Sequence, residues 1–266
     1  MCGRYASGRA PDELVEHFAV ERLVDDADQA VPVPERDWNV APTKPVWAVL
    51  ERPTQESGGP GGRPVRQLRP LRWGLVPSWA KDVSVGARMF NARSESVHEK
   101  PAYRRAFAAR RCLIPADGYY EWEARLVPGQ TDAKRGPGRK QPYWISRADG
   151  RPLAFAGLYE FWRDPELPKD DPRSWLWTCT ILTTDAPTEG RGAQLGRIHP
   201  RMPLELAPDR WEAWLDPTRT DPEELRGLLV PDDPGLLTAH PVSTAVNSVR
   251  NNGPELIEPV VEERLF

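Results

Sequence analysis

Six runs rich in β-branched and aromatic residues dominate this sequence, and they limit the folds that the chain can adopt. Runs of this composition and length are typical of β-strands. They are PVWAVL (45–50), RQLRPLRWGLV (66–76), CLIPADGYYEW (112–122), PYWISR (142–147), PLAFAGLYEFW (152–162) and WLWTCTILTT (175–184). A parallel doubly wound sheet needs a helix at each crossover, and too few helical patterns separate these runs. We therefore predict the α+β class: a single domain with a mainly antiparallel β core and a few peripheral helices.

Four shorter segments carry the apolar spacing of amphipathic helices. In the first, Leu14 and Phe18 are four residues apart behind an acidic first turn. In the last, Asp221 precedes Pro222 and is a suitable N-cap. The segments are APDELVEHFAV (10–20), KPAYRRAFAARR (100–111), APDRWEAWLDP (207–217) and DPEELRGLLV (221–230). We also predict a hairpin turn at residues 148–150, where Ala-Asp-Gly separates two strand runs.

Three segments rich in proline, glycine and charged residues interrupt the strand runs, and none of them can form a core. They comprise residues 51–64, 127–142 and 163–174. The strand runs on either side of each resemble hairpin partners, so we interpret the segments as surface loop insertions. Linkers between separate domains are the alternative. The predicted domain spans residues 1–250, and residues 251–266 are predicted to form a C-terminal tail.

The composition excludes several classes of protein. The 266 residues are 39% hydrophobic and 28% charged, as in a water-soluble globular chain, and no apolar run approaches the roughly 20 residues that span a membrane. The N-terminus lacks a signal pattern, so we expect a cytoplasmic protein with no membrane partner, associated with the nucleoid if its source is bacterial. Three widely spaced cysteines form no CxxC pair, and we expect no disulfide framework, no metal site and no cofactor.

The charge is unevenly distributed along the chain. The net charge of −3 argues against a protein that coats nucleic acid generally. Residues 100–111, however, hold five basic side chains and no acid, whereas acids crowd residues 205–233 and the end of the chain. This pattern is compatible with one basic face, and an unevenly charged solvated surface is the alternative.

The chain begins Met-Cys-Gly-Arg-Tyr, which makes Cys2 the first residue if Met1 is removed. A free N-terminal cysteine carries an amine and a thiol that are both partly deprotonated near neutral pH. Both groups can attack one aldehyde carbon in turn, the amine forming an imine and the thiol closing a thiazolidine ring. Cys2 by itself is weak support for this chemistry, because an early cysteine can also be chemically idle.

Further along the chain, several polar residues have a spacing suited to a reactive site. Glu121 stands among three aromatic residues, whose bulk removes solvent and raises the pKa of a carboxyl group toward the range useful for proton transfer. Asn91 and Arg93 are two residues apart, so in an extended segment they face the same side. His199 and Arg201 have the same spacing, and the intervening proline favours an extended loop. Each of these residues also has an ordinary structural explanation, in the core or on the surface.

Eight sequence blocks, taken together, resemble the SOS-response-associated peptidase (SRAP) family in wording and order. The resemblance runs from Met1 to about Asn247, with the three loop segments as insertions. The blocks are MCGRY, NVAPT, WGLVPSWAKD, FNARSE, RCLIPADGYYEW, FAGLYEFW, TILTTDA and IHPRMPLEL.

The resemblance implies a sensor of abasic sites in single-stranded DNA. Cys2 would condense with the ring-opened sugar aldehyde and form a stable thiazolidine DNA–protein crosslink. By the same resemblance, Asn91 positions the cysteine, Glu121 transfers protons at its amine and in crosslink reversal, and His199 assists opening of the sugar ring. Positions that match DNA contacts of the family are Arg4, Pro42, Trp73, Arg93, Trp122, Thr183 (or Thr184) and Arg201. We expect a monomer that holds DNA in a basic groove on one face.

Two other functions remain open from the sequence. The first is an N-terminal-nucleophile hydrolase or peptidase that uses the Cys2 thiolate against amides, as the family name implies. The second is a module that binds single-stranded DNA without a covalent bond. Blocking the Cys2 amine distinguishes the crosslinking function from both, because only a thiazolidine requires that amine.

Overall fold

A computed structural model describes residues 3–25, 30–54, 62–124 and 140–260. Cys2 lies outside the described residues, as do parts of the predicted loops 51–64 and 127–142 and of the predicted tail. Within the described ranges, thirteen strands and five short α-helices make up the fold.

The strands carry most of the regular structure. They are, in chain order, β1 (Tyr5–Ser7), β2 (Arg22–Leu23), β3 (Asp37–Val40), β4 (Pro45–Pro53), β5 (Pro64–Trp73), β6 (Asn91–Arg93), β7 (Arg111–Ala116), β8 (Gly118–Ala124), β9 (Lys140–Arg147), β10 (Leu153–Arg163), β11 (Trp175–Asp185), β12 (Arg201–Pro203) and β13 (Leu237–Pro241). The helices are α1 (Pro11–His17), α2 (Arg104–Ala109), α3 (Ala193–Ile198), α4 (Trp211–Leu215) and α5 (Pro222–Gly227).

Two sheets build the domain. A five-stranded sheet has the order β13-β9-β8-β1-β3, and every pair in it is antiparallel. An eight-stranded sheet has the order β12-β11-β10-β7-β4-β5-β2, with β6 paired to β11. Because β11 also pairs with β5, the strands β11-β10-β7-β4-β5 close into a barrel. The α+β class with a mainly antiparallel core is therefore confirmed. Among the described strands, the parallel pairs are β2 with β5, β5 with β11, and β6 with β11, and each is short.

Alternate residues of the barrel strands divide between two apolar clusters, as the period of a strand requires. In β4, Ala48 and Leu50 belong to an inner cluster, which also contains residues of the five-stranded sheet such as Tyr119. Trp47 and Val49 of the same strand belong to an outer cluster, against which four of the five helices pack. Helix α3 is the exception, since its apolar residues join the inner cluster.

The three predicted loop segments all connect hairpin partners. Register pairs join β4 to β5 up to Pro53 and Pro64, β8 to β9 up to Ala124 and Lys140, and β10 to β11 up to Arg163 and Trp175. These pairings support loop insertions within one domain rather than linkers between domains.

One predicted hairpin is wrong. A turn does form at residues 148–150, with Gly150 at a φ of 71°. The strands that it joins, however, lie in different sheets, since β9 pairs with β8 and β13 while β10 pairs with β7 and β11. The turn is therefore a crossover from one sheet to the other, because both edges of each strand are already paired with other strands.

The predicted helices form, and each is shorter than its sequence pattern. Helix α1 begins after Ala10, whose amide donates to Glu13 at 2.8 Å, and α5 begins after Asp221, whose carboxylate caps it. Among the described residues, no helix is long and apolar enough to cross a membrane.

Part of the basic segment at residues 100–111 has a structural role. Arg111 is buried and donates to the carbonyls of Phe107 and Trp214, and Arg110 pairs with Glu160 at 2.7 Å. Only the earlier basic residues of this segment remain exposed. Arg110 and Arg111 are therefore not available to the basic face that the sequence predicts.

The predicted boundary at residue 250 does not separate a tail from the domain. Leu256 is buried in a cluster with Tyr120 and Trp144, and Val242 pairs with Pro259. Residues 251–260 thus complete the five-stranded sheet side of the core.

Candidate active site

Glu121 lies in the middle of β8, on the side that faces the inner cluster. The side chains of β8 alternate, and Tyr119, two residues earlier, belongs to that cluster. Glu121 is only 3% exposed, and this burial raises the pKa of its carboxyl to about 7. A carboxylic acid with this pKa can both hold and release a proton near neutral pH.

His199 approaches Glu121 from the other wall of the site. It ends helix α3 in an extended conformation, and its Nδ1 lies 3.9 Å from Oε1 of Glu121. Burial lowers the pKa of His199 below its ordinary value, so the imidazole is neutral at pH 7. Its Nδ1 is 3.0 Å from the amide of Arg201 and 2.9 Å from the carbonyl oxygen of the same residue. Unprotonated Nδ1 accepts from that amide and protonated Nδ1 donates to that carbonyl, so both forms have a backbone partner.

Asn91 is the first residue of the short strand β6, and Arg93 is its last. The register places Asn91 beside Ile181 and Arg93 beside Thr183 of β11. Because Ile181 belongs to the inner cluster and cross-strand neighbours share a face, Asn91 points toward the same interior as Glu121. Arg93 is exposed, and its guanidinium forms no hydrogen bond or ion pair with the part of the chain that the structure describes. It is therefore available to an external anion.

Arg201, in β12, lies at the same end of β11 as Arg93, but its guanidinium already binds protein groups. Its guanidinium pairs with Glu95 and Asp185, each at 2.7 Å, and donates to the Thr183 carbonyl at 2.6 Å. The predicted phosphate contact at Arg201 therefore requires an exchange of partners.

Arg4 and Trp122 form a second cluster beside Glu121. The Arg4 guanidinium donates to the Asn39 side chain at 2.6 Å and to the Val246 carbonyl at 2.8 Å, and it lies 5.8 Å from the Trp122 ring centroid. The indole of Trp122 donates to Asn247 at 2.7 Å. Both predicted DNA contacts are half-buried and held by the C-terminal segment, a support that the sequence did not indicate.

The two tryptophans of the WGLVPSWAKD block have opposite surroundings. Trp73 is fully buried, with its indole donating to the Phe90 carbonyl at 2.8 Å and its ring edge-on to Tyr5. Its ring therefore cannot line a channel open to solvent, contrary to the prediction. Trp79, on the loop that follows β5, is 65% exposed, so of the two rings it is the one accessible to solvent. The alternation of side chains along β5 indicates that Trp73 is buried, because Trp73 shares a face with the core residue Leu71.

Two further predicted contacts are only partly accessible. Thr183 is fully buried, and its hydroxyl faces the Ala92 carbonyl at 3.4 Å, so it cannot reach a phosphate in this structure. Thr184, the alternative, is half-buried, as is Pro42 in the turn between β3 and β4. Thr184 and Pro42 remain candidates for DNA contact.

The N-terminal strand leads into this site. Strand β1 is antiparallel to β8, with Tyr5 opposite Tyr119, and the amide of Tyr120 donates to the Arg4 carbonyl at 2.9 Å. The first residues that the structure describes therefore lie beside the strand that carries Glu121. No group of three or more histidine, cysteine, aspartate and glutamate residues is arranged to hold a metal ion within the described ranges.

Comparisons with known proteins match this chain over nearly its full length. The family model described as SOS response associated peptidase (SRAP) matches residues 1–249. The abasic site processing protein YoqW of Bacillus subtilis is 38% identical over 258 residues, which cover 97% of this chain and 99% of that protein. YoaM of the same organism, with the same description, is 39% identical over 261 residues, which cover 97% and 98%. A crystal structure of a protein from Bacteroides thetaiotaomicron has a TM-score of 0.73 at 21% identity and covers 98% of this chain and 100% of that one, which shows a shared fold.

Proposed function

Because the chain belongs to the SOS response associated peptidase family, we propose that it processes abasic sites in DNA by covalent capture on Cys2. The observation that carries this proposal is the pair formed by Glu121 and His199. An acid with a raised pKa lies 3.9 Å from an imidazole with a lowered pKa, at the site to which the N-terminal strand leads. Pairs of titratable groups whose environments displace their pKa values in opposite directions are typical of acid–base catalysis.

The proposed reaction requires no oxidant or reductant. After removal of Met1, the Cys2 amine adds to C1′ of the open-chain sugar aldehyde and forms a carbinolamine. Loss of water gives an imine, and the thiol then adds to the imine carbon while its proton passes to the nitrogen. The product is a thiazolidine, with one water released for each crosslink formed.

The two titratable groups divide the proton transfers of this sequence. Protonated Glu121 donates to the hydroxyl that leaves as water, and its carboxylate accepts a proton from the attacking amine. His199 assists the preceding step, in which the closed sugar opens to the aldehyde. In this proposal Asn91, whose register directs it toward the same interior, orients the Cys2 amine by hydrogen bonding.

Two exposed groups suit a single strand that carries no base at the lesion. Trp79 offers a stacking surface to a neighbouring base, and Arg93 offers a guanidinium to a phosphate. Neither contact depends on base identity, so we propose recognition without sequence preference.

The decisive experiment uses a single-stranded oligonucleotide with one uracil, treated or not treated with uracil glycosylase, and a denaturing gel. We expect a shifted band only after glycosylase treatment, its loss in Cys2→Ala, and its retention in Cys112→Ala and Cys179→Ala. Cys112 and Cys179 are buried, and burial raises the pKa of both thiols, which keeps them unreactive. A shifted band without glycosylase, or none with it, would falsify the proposal.

A second arm distinguishes the two alternative functions. Protein whose N-terminal amine is acetylated retains its thiol and its DNA-binding surface but cannot form an imine. We expect it to bind undamaged single strands and to form no stable adduct. An adduct that survives acetylation would point to thiol chemistry of the hydrolase type instead.

A further inference from the structure

The two terminal nitrogens of the Arg201 guanidinium are fully engaged by protein groups. Its Nη1 donates to Glu95 Oε1 and Asp185 Oδ1, both at 2.7 Å, and its Nη2 donates to Glu95 Oε2 at 3.0 Å and to the Thr183 carbonyl at 2.6 Å. The four N–H bonds of the two terminal nitrogens are thus all used. Two carboxylates face one guanidinium, which leaves this cluster with an excess negative charge.

The two carboxylates hold Arg201 in different ways. Glu95 accepts through both oxygens in a bidentate pair, a geometry that strengthens and orients an arginine contact. Asp185, at the exposed end of β11, accepts one hydrogen bond and its side chain is 82% exposed, against 48% for Glu95. Exposed ion pairs contribute little net stability. Asp185 is therefore the partner that an incoming anion displaces at least cost.

We propose that Asp185 is a specificity-determining residue, which competes with DNA phosphate for Nη1 of Arg201 and keeps the affinity for undamaged single strands low. The proposal rests on the proposed function, since it concerns the strand that the site would capture. Glu95, by contrast, is a positioning residue that holds the guanidinium between β6, β11 and β12.

A carboxylate in this place has a consequence for selectivity. A covalent crosslink keeps the strand with the abasic site bound to the protein. Strong phosphate contacts are therefore not needed to retain it. Undamaged strands, which carry the same phosphates but no aldehyde, are the competitors. A carboxylate that must be displaced lowers the affinity for every strand equally. Only a strand with an abasic site compensates for this lower affinity, because it forms a covalent bond.

The test is the affinity of Asp185→Asn for an undamaged, fluorescently labelled single-stranded oligonucleotide, measured by anisotropy from low to moderate salt. The matched control is Asp209→Asn, which removes the same charge from an exposed aspartate on the turn before α4. We expect Asp185→Asn to bind about three- to fivefold more tightly than the wild type at low salt. Its slope of log K against log salt should steepen by about 0.7, the contribution of one further phosphate contact on a single strand.

Three results would overturn the proposal: unchanged affinity in Asp185→Asn, an equal gain in Asp209→Asn, or no measurable binding of undamaged strands by either protein. The third result would mean that no undamaged strand binds at Arg201. Crosslinking to abasic DNA is scored separately on the same preparations. A wild-type protein that crosslinks while Asp185→Asn binds undamaged DNA unchanged would refute the role of Asp185 and leave the proposed function standing.

Discussion

Burial of the Glu121 carboxyl has a cost in stability, and the substitution Glu121→Gln should reveal it. The native state holds a proton on this carboxyl up to about pH 7, whereas the unfolded chain loses it near the ordinary value of 4.5. Between these two values the native state binds more protons than the unfolded state. The free energy of unfolding therefore falls as pH rises through this window.

The magnitude follows from the two pKa values. Each pKa unit is worth about 1.4 kcal/mol, so the difference between 4.5 and about 7 amounts to roughly 3.4 kcal/mol. About 2.5 kcal/mol of this loss falls between pH 5 and pH 8. Glutamine has nearly the same shape and no charge to desolvate, so Glu121→Gln should lack this loss. Relative to the wild type, the variant should gain about 2.5 kcal/mol between the two pH values.

The assay is urea unfolding of both proteins at pH 5 and pH 8, with the difference between variant and wild type compared across pH. Any change in packing or hydrogen bonding that does not depend on pH cancels in this comparison. Other titrating groups cancel as well, including Glu205, whose buried carboxyl also has a pKa raised to about 7. The control is Glu123→Gln on the same strand, which should change the difference by less than about 0.5 kcal/mol. A gain below about 1 kcal/mol in Glu121→Gln would refute the assignment of a buried, protonated carboxyl.

Three further predictions concern activity and DNA binding. Glu121→Gln and His199→Ala should each slow crosslinking in a gel time course by roughly 10-fold to 100-fold, the contribution of one acid–base group; rates within twofold of the wild type would assign both residues a structural part only. Arg93→Ala should reduce the slope of log K against log salt by about 0.7 in anisotropy measurements on single strands, and an unchanged slope would place the phosphates elsewhere. Trp79→Ala should weaken binding of single strands about 5-fold to 100-fold, as loss of one base-stacking platform does, whereas Trp79→Phe should retain most of the affinity; equal losses in both would exclude stacking.

The strands and three of the hairpins could be predicted from local sequence. Alternation and turn residues indicated the strand runs, and the Pro/Gly-rich segments fell between true hairpin partners. The predicted hairpin between β9 and β10 failed, because a turn sequence determines a reversal of the chain and not which strands then pair. Pairing depends on which faces bury the most apolar surface, and those faces come from distant segments.

The sequence by itself indicated which residues are candidates for the chemistry of the site. Glu121 among aromatic residues, Asn91, Arg93 and His199 were all identified, because their residue types and the family resemblance are local properties of the chain. Only the tertiary structure decided which of these side chains are exposed, and which of their charges are shifted or paired. Arg201 is neutralised by Glu95, which lies 106 residues away in sequence, and burial placed Trp73 in the core while leaving Trp79 exposed. Desolvation and ion pairing arise from neighbours that folding brings together, and a linear pattern does not contain them.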